Sequence, residues 1–521
     1  MVPSRKPERT DDPRVALRRA VADRDAEAVT ALVAQHWMYL LESRSIMLAL
    51  ALGLSAPDPA DELTNAVFGA LDGQLKPAFR ADASRKWARR SGQRSEGDAL
   101  PAVLGSTIDS IAARAEGRAV ESLAHTERAR AALPMAAERI PIAMLARLQH
   151  HWLRSEMMST GYVTVVDSSE ETLRTAVATG QLDVAYSTVG YYALSHALAG
   201  RGPASDRAVA DAAALGELVE PWQRAAMGVP LRLATALRLL DRGRGGDAAA
   251  LLTDDRRAEQ ESDLWALALM VRTQLPAAKQ DPSRFLAQLE AEAASWPSNV
   301  VEQPANSVHL DVARAHLNGL AGHGALAVEL LERSADNDRH GIVRVRLAAI
   351  RAAEDATAAA GLVEMVLSES RDRPRASAEM HLLKAARALA ENHPKTASRE
   401  FRRAVAQALE NGIPRSLVVA GPAVLTQLAE LTEMSEALDA VAQIDEELVH
   451  LDRSKDRALL TPRERAVLLG LMSGRTRAEV ARDSFVSVET VRSQLRSVYR
   501  KLGVRSLEAA IFAAAEAGIH P

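Results

Sequence analysis

Residues 460–506 read LTPRERAVLLGLMSGRTRAEVARDSFVSVETVRSQLRSVYRKLGVRS, and this stretch decides the fold of the C-terminal region. Thr461 is a good N-cap residue, Pro462 suits the first helical position, and Glu464 completes a capping box. The pattern therefore predicts a short helix that ends at Gly474. Its predicted core positions are Val467, Leu468 and Leu471.

Three more capping signals follow at close intervals. Thr476 and Glu479 form a second capping box, and Ser487 caps a third helix. Ser506 then caps a fourth helix, which ends at Gly518. Four short helices in one small segment, with a tight turn between the second and the third, are typical of a helix-turn-helix module.

The third predicted helix has two different faces at 100° per residue. The apolar arc comprises Val491, Leu495, Val498, Tyr499 and Leu502, and the opposite arc comprises Arg492, Ser493, Arg496 and Arg500 with Glu489. Arginine donates paired hydrogen bonds to guanine, so the stripe predicts a helix that lies in a DNA major groove. Ser487, Thr490 and the first-turn N–H groups suit one phosphate and Lys501 suits another. An ordinary solvated basic face is the alternative interpretation.

This segment resembles the LuxR-type (GerE-type) DNA-binding domain. The matching residues are Leu460, Thr461, Arg463, Glu464, Leu468, Gly474, Glu479, Val480, Ala481, Ser487, Thr490, Val491, Lys501, Leu502, Gly503, Val504, Glu508 and Ala509. The resemblance implies a third helix in the major groove and a fourth that helps dimerisation. It also implies base contacts by Arg492, Ser493 and Arg496, with Thr490 and Lys501 near phosphate. Gln494 and Arg500 complete the predicted phosphate-contacting set.

Three positions depart from the family pattern. Ser484 stands where a buried leucine is usual, so Phe485 would shift to fill the space or the core would be softer. Ala478 replaces a common lysine and removes one phosphate contact. Gln494 replaces a frequent histidine but keeps its capacity for hydrogen bonding.

Composition predicts an all-α protein. Aromatic residues make up 3% of the 521 residues, and alanine, leucine, arginine and glutamate are abundant. The chain contains no cysteine, which excludes disulfides and thiol chemistry and suits a reducing cytosol. The N-terminus resembles no secretory signal, and the most apolar run, residues 45–54, is too short to span a bilayer. We therefore expect a cytoplasmic protein with no membrane partner.

Charge is unevenly distributed along the chain. The net charge is −4, but residues 456–521 carry 11 Lys and Arg against 7 Asp and Glu, a net of +4. The remaining 53 Lys and Arg face 61 Asp and Glu, a net of −8. An acidic body with a basic end predicts that only the C-terminal region meets nucleic acid.

The body reads as successive helices broken by short signals such as ALAGRGPASD, LLDRGRGGDA and AENHPKTA. Tetratricopeptide-like matches begin at Ala248, Ala287, Ala327 and Ala397, the last with Phe401 and Ala404, and their spacing suggests a repeat of about 35–40 residues. We therefore predict a tetratricopeptide-like helical solenoid followed by the four-helix domain. The predicted divisions are an N-terminal helical region (1–100, with a polar linker at about 81–101), repeats (102–451), a linker (452–459) and the DNA-binding domain (460–521).

The end of the predicted array also resembles the helical repeats of MalT-like regulators. Those regulators carry an ATPase domain, but this chain has no G-x-x-x-x-G-K-[ST] motif, so no nucleotide or other cofactor is expected. MalT-like regulators are mostly activators, so the resemblance implies activation. The expected partners are double-stranded DNA, a second copy of the chain, RNA polymerase, and a small-molecule or protein effector.

Other chemistry finds little support in the sequence. His150 and His151 are adjacent, but there is no H-E-x-x-H motif, no carboxylate cluster at ligand spacing and no G-x-S-x-G. We predict no catalytic and no metal-binding residues, and hence a protein that is not an enzyme. A helical-repeat scaffold, whose C-terminal bundle binds another protein, is the alternative to a transcription regulator.

Overall fold

The structure, a computed structural model, describes residues 12–42, 99–162, 165–253, 256–339, 341–354, 359–442, 462–473, 475–483 and 486–502, with a few more at 51–71 and 506–511. All regular secondary structure in these residues is helical, as predicted. The first helices are α1 (Pro13–Asp23), α2 (Ala26–Glu42), α3 (Ala99–Ala115), α4 (Ala119–Ala136), α5 (Ile142–Thr160), α6 (Val166–Ala178), α7 (Leu182–Ala199), α8 (Gly202–Gly216), α9 (Pro221–Met227), α10 (Val229–Asp241), α11 (Gly245–Thr253) and α12 (Arg256–Glu261).

The second half of the body continues the all-helical pattern. Its helices are α13 (Trp265–Arg272), α14 (Pro276–Gln280), α15 (Pro282–Ala293), α16 (Ser298–Val301), α17 (Pro304–Leu320), α18 (Gly324–Ser334), α19 (Ile342–Glu354), α20 (Ala360–Glu369), α21 (Pro374–Ala390), α22 (Pro394–Glu410), α23 (Pro422–Thr432) and α24 (Ser435–Ala442). Short 3-10 helices lie at Ala137–Arg139, Ala335–Asn337 and Pro414–Ala420. The C-terminal region contains α25 (Pro462–Met472), α26 (Arg477–Asp483) and α27 (Val488–Leu502).

One turn recurs between consecutive helices. After α3, Gly117 adopts a φ of 77°, and the N–H of Arg118 donates to the carbonyl oxygen of Ala113 at 2.9 Å. This is a Schellman motif, and glycine is favoured there because it has no Cβ to clash in the left-handed region. The same bond follows several later helices of the body, and it joins Gln181 to Ala176, Arg201 to His196, Arg244 to Leu239, His323 to Asn318, His393 to Ala388 and Ile413 to Ala408.

These turns bear out the breaks expected from the sequence. Helices end at Ala199, Asp241 and Ala390, within the three polar segments quoted above. Each turn brings the next helix back against the previous one, and α3 packs on α4, α7 on α8, α17 on α18 and α21 on α22. The body is therefore an array of helical hairpins.

The small-residue matches have different outcomes. Ala397, Phe401 and Ala404 are fully buried on α22, and Ala327 and Ala248 are fully buried on α18 and α11. The match at Ala287 is wrong, because Ala287 is exposed on α15. There the buried residues are Leu289 and Ala293, so the helix packs through a different face. The tetratricopeptide-like class itself stays a prediction.

The array also folds back on itself. In an open solenoid each repeat contacts only its neighbours. Here α7 and α10 contact α21 and the 3-10 helix Pro414–Ala420, respectively. The N–H of Gly202 donates to the carbonyl oxygen of Asn411 at 3.1 Å, and a Cβ on Gly200 would lie 2.6 Å from the backbone nitrogen of Arg375. Distant segments of the body therefore touch backbone to backbone.

The N-terminal helices share a core with the helices that follow. Leu17 and Trp37 from α1 and α2 are buried with Leu104 and Ile108 from α3 and Trp152 from α5. Helix α3 begins inside the range predicted for the polar linker, whose remainder lies outside the described residues. Across the described helices, none combines the length and the apolar composition that a bilayer-spanning segment requires.

Candidate nucleic-acid interface

Helices α25, α26 and α27 pack around a small apolar core. As predicted, α25 contributes Val467, Leu468 and Leu471, and α27 contributes Val491, Leu495 and Val498, all at most 7% exposed. Val480 and Ala481 of α26 complete the cluster, with half-buried Tyr499 against it. Gly470 permits the closest approach, because a Cβ there would lie 2.8 Å from Cγ2 of Val480. No local sequence signal marks Gly470 as a packing position.

Side-chain caps fix where these helices begin. Thr476 and Glu479 form the predicted capping box: Glu479 Oε2 accepts from the Thr476 N–H at 2.7 Å, and Thr476 Oγ1 accepts from the Glu479 N–H at 3.3 Å. The Thr476 N–H and hydroxyl both donate to the Glu479 carboxylate, and they hold its pKa below the usual range. Ser506 Oγ accepts from the Ala509 N–H at 3.1 Å, as expected for a fourth helix. Thr461 and the Glu464 side chain lie outside the described residues.

The N-terminus of α27 has the predicted serine cap. Ser487 Oγ accepts from the Thr490 N–H at 3.1 Å and lies 2.8 Å from Thr490 Oγ1. The N–H groups of the first helical turn have no carbonyl partner within their own helix, so a helix N-terminus attracts anions. Ser487 is exposed and Thr490 half-buried, so two hydroxyls lie beside this polar end.

The two faces of α27 are as different as the sequence predicts. Arg492, Ser493 and Arg496 are exposed on the side opposite Val491 and Leu495. Gln494 is half-buried between the two faces. Arg500 and Lys501 belong to the last turn of the helix, and their side chains, like that of Leu502, lie outside the described residues. The structure therefore aligns two arginines along one exposed surface.

An ion pair on this surface was not foreseen. Arg492 Nη1 lies 3.2 Å from Glu489 Oε2, with both side chains more than half exposed. The spacing of three residues places the two side chains on neighbouring turns. The side chain of Arg496 forms no such pair within the part of the chain that is described. The charge of Arg492 is therefore partly neutralised by a neighbouring carboxylate, whereas that of Arg496 is not.

The departures from the family pattern have limited visible effects. Ala478 is exposed on α26, where it offers no charged group. Ser484 and Phe485 lie outside the described residues.

Within the residues that can be described, no group of three His, Asp or Glu side chains is arranged to hold a metal ion.

Comparison with known proteins agrees with this geometry. Residues 458–514 match the GerE family model, described as bacterial regulatory proteins of the luxR family. The match covers α25, α26 and α27 but not the helical body. No curated protein matches the chain at a significant level of similarity. Residues 458–514 are therefore a LuxR-family helix-turn-helix domain, and the class of protein that this domain supports is a DNA-binding transcription regulator.

Proposed function

We propose that this protein regulates transcription by placing α27 in the major groove of operator DNA. The observation that carries the proposal is the exposed pair Arg492 and Arg496, held opposite a buried apolar face on a capped helix. Arginine forms paired hydrogen bonds to O6 and N7 of guanine. Arg492, Ser493 and Arg496 are the residues that we assign to base contacts.

Phosphate contacts would hold the helix in register. We assign them to Ser487, Thr490, Gln494, Arg500 and Lys501. The N-terminal end of α27 suits a phosphate because its first-turn N–H groups lie beside the hydroxyls of Ser487 and Thr490. Contacts of this kind carry no sequence information, so these residues position the protein while the base-contacting residues give specificity.

The rest of the proposed function concerns the assembly and the body. We propose that the protein binds a roughly palindromic operator as a homodimer, because helix-turn-helix proteins read two half-sites through two-fold symmetry. The helical body, of tetratricopeptide-like architecture, would receive a small-molecule or protein effector. Its resemblance to MalT-like regulators favours activation through RNA polymerase, an inference from analogy of architecture.

Binding-site selection with the full-length protein tests the central claim. We expect enrichment of one sequence from a random duplex library. Affinity for that duplex should fall linearly with salt on logarithmic axes, because arginine and lysine contacts release counterions from phosphate. A scrambled duplex of the same composition is the matched control. Absence of binding to any duplex at low salt would favour the alternative, a scaffold whose C-terminal bundle binds protein.

A further inference from the structure

The helical body contains a cavity of about 550 Å³. It is lined by residues of α1, α2, α3, α5, α7 and α9, so it joins the N-terminal helices to the following part of the array. Sites for small molecules are mostly clefts of about 300–1,000 Å³. The size of this cavity is therefore that of a small-molecule site.

Aromatic side chains concentrate around this cavity. The whole chain has only 6 Trp and 6 Tyr, yet three of the tryptophans and two of the tyrosines line it: Trp37, Trp222, Trp296, Tyr39 and Tyr191. The rings of Tyr39 and Trp222 lie 5.2 Å apart at 49° to each other. Flat apolar rings on the wall of a cavity suit a planar aromatic ligand.

The charge of the lining is opposite to that of the rest of the body. Five arginines and three aspartates line the cavity, with no lysine or glutamate, so the lining has a formal excess of two positive charges. The three carboxylates are already engaged. Asp263 accepts from Arg114 at 2.7 Å and from Arg154 at 2.8 Å. Asp183 pairs with Arg147 at 2.8 Å, and Asp12 pairs with Arg14 at 2.7 Å.

Hydrogen-bond donors remain available in the lining. The side chain of Arg147 is 32% exposed, and one carboxylate cannot use all five of its N–H donors. Arg18 is exposed and forms no ion pair within the described part of the chain. His36 has no hydrogen-bond partner among the same residues, and burial together with the charge of Arg147 lowers its pKa to about 4. At neutral pH its ring is uncharged and carries one N–H donor.

We propose that this cavity binds a small organic anion, a carboxylate or phosphate carried on an aromatic ring system, as the effector of the regulator. The anion meets Arg147, Arg18 and His36, and the ring packs against Tyr39 and Trp222. The role as effector rests on the function proposed above, whereas the binding itself does not. Because the cavity is built from α1 and α2 together with α5, α7 and α9, a ligand there stabilises the contact between these segments.

Calorimetry with the full-length protein tests the ligand chemistry. The probes are 1-naphthoate and 1-naphthyl phosphate, with 1-naphthamide as the neutral analogue and cyclohexanecarboxylate as the non-aromatic anion. We expect at least one of the two aromatic anions to bind, and the better one to bind at least about tenfold more tightly than both control compounds. The comparison of the two aromatic anions distinguishes a carboxylate from a phosphate ligand. Equal affinities for the amide and the acids, or no heat with either aromatic anion up to its solubility limit, would overturn the proposal.

Three variants test the location. Arg18→Gln changes a residue without an ion pair, so the fold is expected to survive, and Trp222→Ala removes one aromatic wall. Each substitution should lower the affinity for the better-binding aromatic anion by about tenfold or more. Arg244→Gln, on an exposed residue outside the cavity, is the matched control and should bind like the wild type. Unchanged binding in both cavity variants, with normal thermal unfolding, would place the ligand elsewhere.

The regulatory step is measured separately. DNA affinity is determined with and without the bound anion, using the duplex obtained by selection. Absence of DNA binding both with and without the anion would contradict the proposed function but leave the calorimetric result standing. Anion binding that leaves DNA affinity, dimerisation and transcription unchanged would contradict the effector role.

Discussion

Arg375 and Asp241 are separated by 134 residues in the chain, and their side chains form a two-bonded ion pair with N–O distances of 2.7 and 2.8 Å, in which Asp241 is buried and Arg375 is 19% exposed. The same carboxylate accepts from Arg238 at 2.8 Å. One aspartate on α10 therefore neutralises a guanidinium of its own helix and one from α21. This carboxylate contributes to the return contact, in which α7 and α10 meet α21 and the 3-10 helix Pro414–Ala420.

We expect Asp241→Asn to lower the free energy of unfolding by about 3–5 kcal/mol, because breaking a buried pair leaves an uncompensated charge inside the protein. Urea unfolding followed by circular dichroism measures the change. Asp247→Asn is the control, since Asp247 forms an exposed pair with Arg244 and should cost less than about 1 kcal/mol. Equal losses in the two variants would show that the pair does not hold the two segments together.

The two kinds of DNA contact should respond differently to mutation. Arg496→Ala is expected to cost about 1–3 kcal/mol of binding free energy and to relax the preference at one base position. Lys501→Ala should weaken binding to all sequences alike and reduce the salt dependence by about one unit of slope. Repeated selection with each variant measures both effects. A relaxed base preference in Lys501→Ala, with none in Arg496→Ala, would reverse the assignment.

If Arg492 contacts a base as proposed, its ion pair with Glu489 competes with DNA for the same guanidinium. Glu489→Gln should raise DNA affinity by up to about fivefold, because an exposed pair is worth up to about 1 kcal/mol and a negative charge near phosphate is removed. A titration of labelled operator at several salt concentrations measures the gain. Glu436→Gln removes the same charge from an exposed residue of α24, outside the C-terminal domain, and serves as the control. A lower affinity would mean that Glu489 itself contributes a contact with DNA, and an unchanged affinity would mean that the ion pair does not compete with DNA.

Capping and phosphate binding can be separated at Ser487. Ser487→Ala should destabilise the C-terminal domain by about 1 kcal/mol, because the Thr490 N–H loses its acceptor. Ser487→Asp preserves the cap and should keep the stability, but its carboxylate would repel a phosphate and lower DNA affinity. Thermal unfolding and operator titration are run on both variants. Undiminished DNA affinity in Ser487→Asp would exclude a phosphate at this helix end.

Stability should fall in mild acid because of buried histidines. His309 is buried on α17, where its Nδ1 lies 2.8 Å from the Ala305 carbonyl oxygen and its Nε2 meets the Tyr162 hydroxyl. Burial lowers its pKa to about 4 from the usual 6.5, although the Ala305 carbonyl opposes this shift. The unfolded chain therefore binds more protons than the folded one between these two pKa values. Stability is complete above pH 6.5 and declines as the pH falls toward 4.

The variant His309→Gln isolates this contribution. Between pH 7.5 and pH 5, one such histidine lowers the free energy of unfolding by about 2 kcal/mol. The loss of unfolding free energy between these two pH values should therefore be about 2 kcal/mol smaller in the variant than in the wild type. His36 and His196 have pKa values lowered in the same direction, also to about 4, and keep contributing in the variant. Urea unfolding at the two pH values gives the comparison. An unchanged difference would mean that the His309 imidazole is already charged in the folded protein.

The C-terminal domain was predictable because its signals are local. The cap of Ser487 acts on Thr490, three residues away, and the alternation of Val491 with Arg492 along one helix defines both faces. The helical hairpins were predictable for the same reason, since a glycine or asparagine closes a helix through bonds within six residues. Local rules could not show which face of α15 packs. Burial of Leu289 instead of Ala287 depends on neighbours that are distant in the sequence.

The cavity and the return contact were not predictable for this reason. The aromatic side chains of the cavity are spread along the sequence from Trp37 to Trp296. Only Trp37 and Tyr39 are close together in the chain. Aromatic residues make up only 3% of the chain, yet the structure places three of its 6 Trp and two of its 6 Tyr around one cavity. Arg375 likewise has no sequence signal that pairs it with Asp241. Tertiary packing alone brings such residues together.

The return contact has a consequence for how the chain folds during synthesis. Arg238 reaches its carbonyl acceptor at Gly412 only after 174 more residues have been added. Hairpins form as they leave the ribosome, but contacts between distant segments must wait, and such contacts slow folding. The first half of the body is therefore synthesised with the charged surface of α7 and α10 exposed, and this surface is covered only when α21 and the 3-10 helix Pro414–Ala420 have been added. We expect the body to complete its fold in one late cooperative step, because a chain truncated before residue 412 lacks the carbonyl acceptor of Arg238.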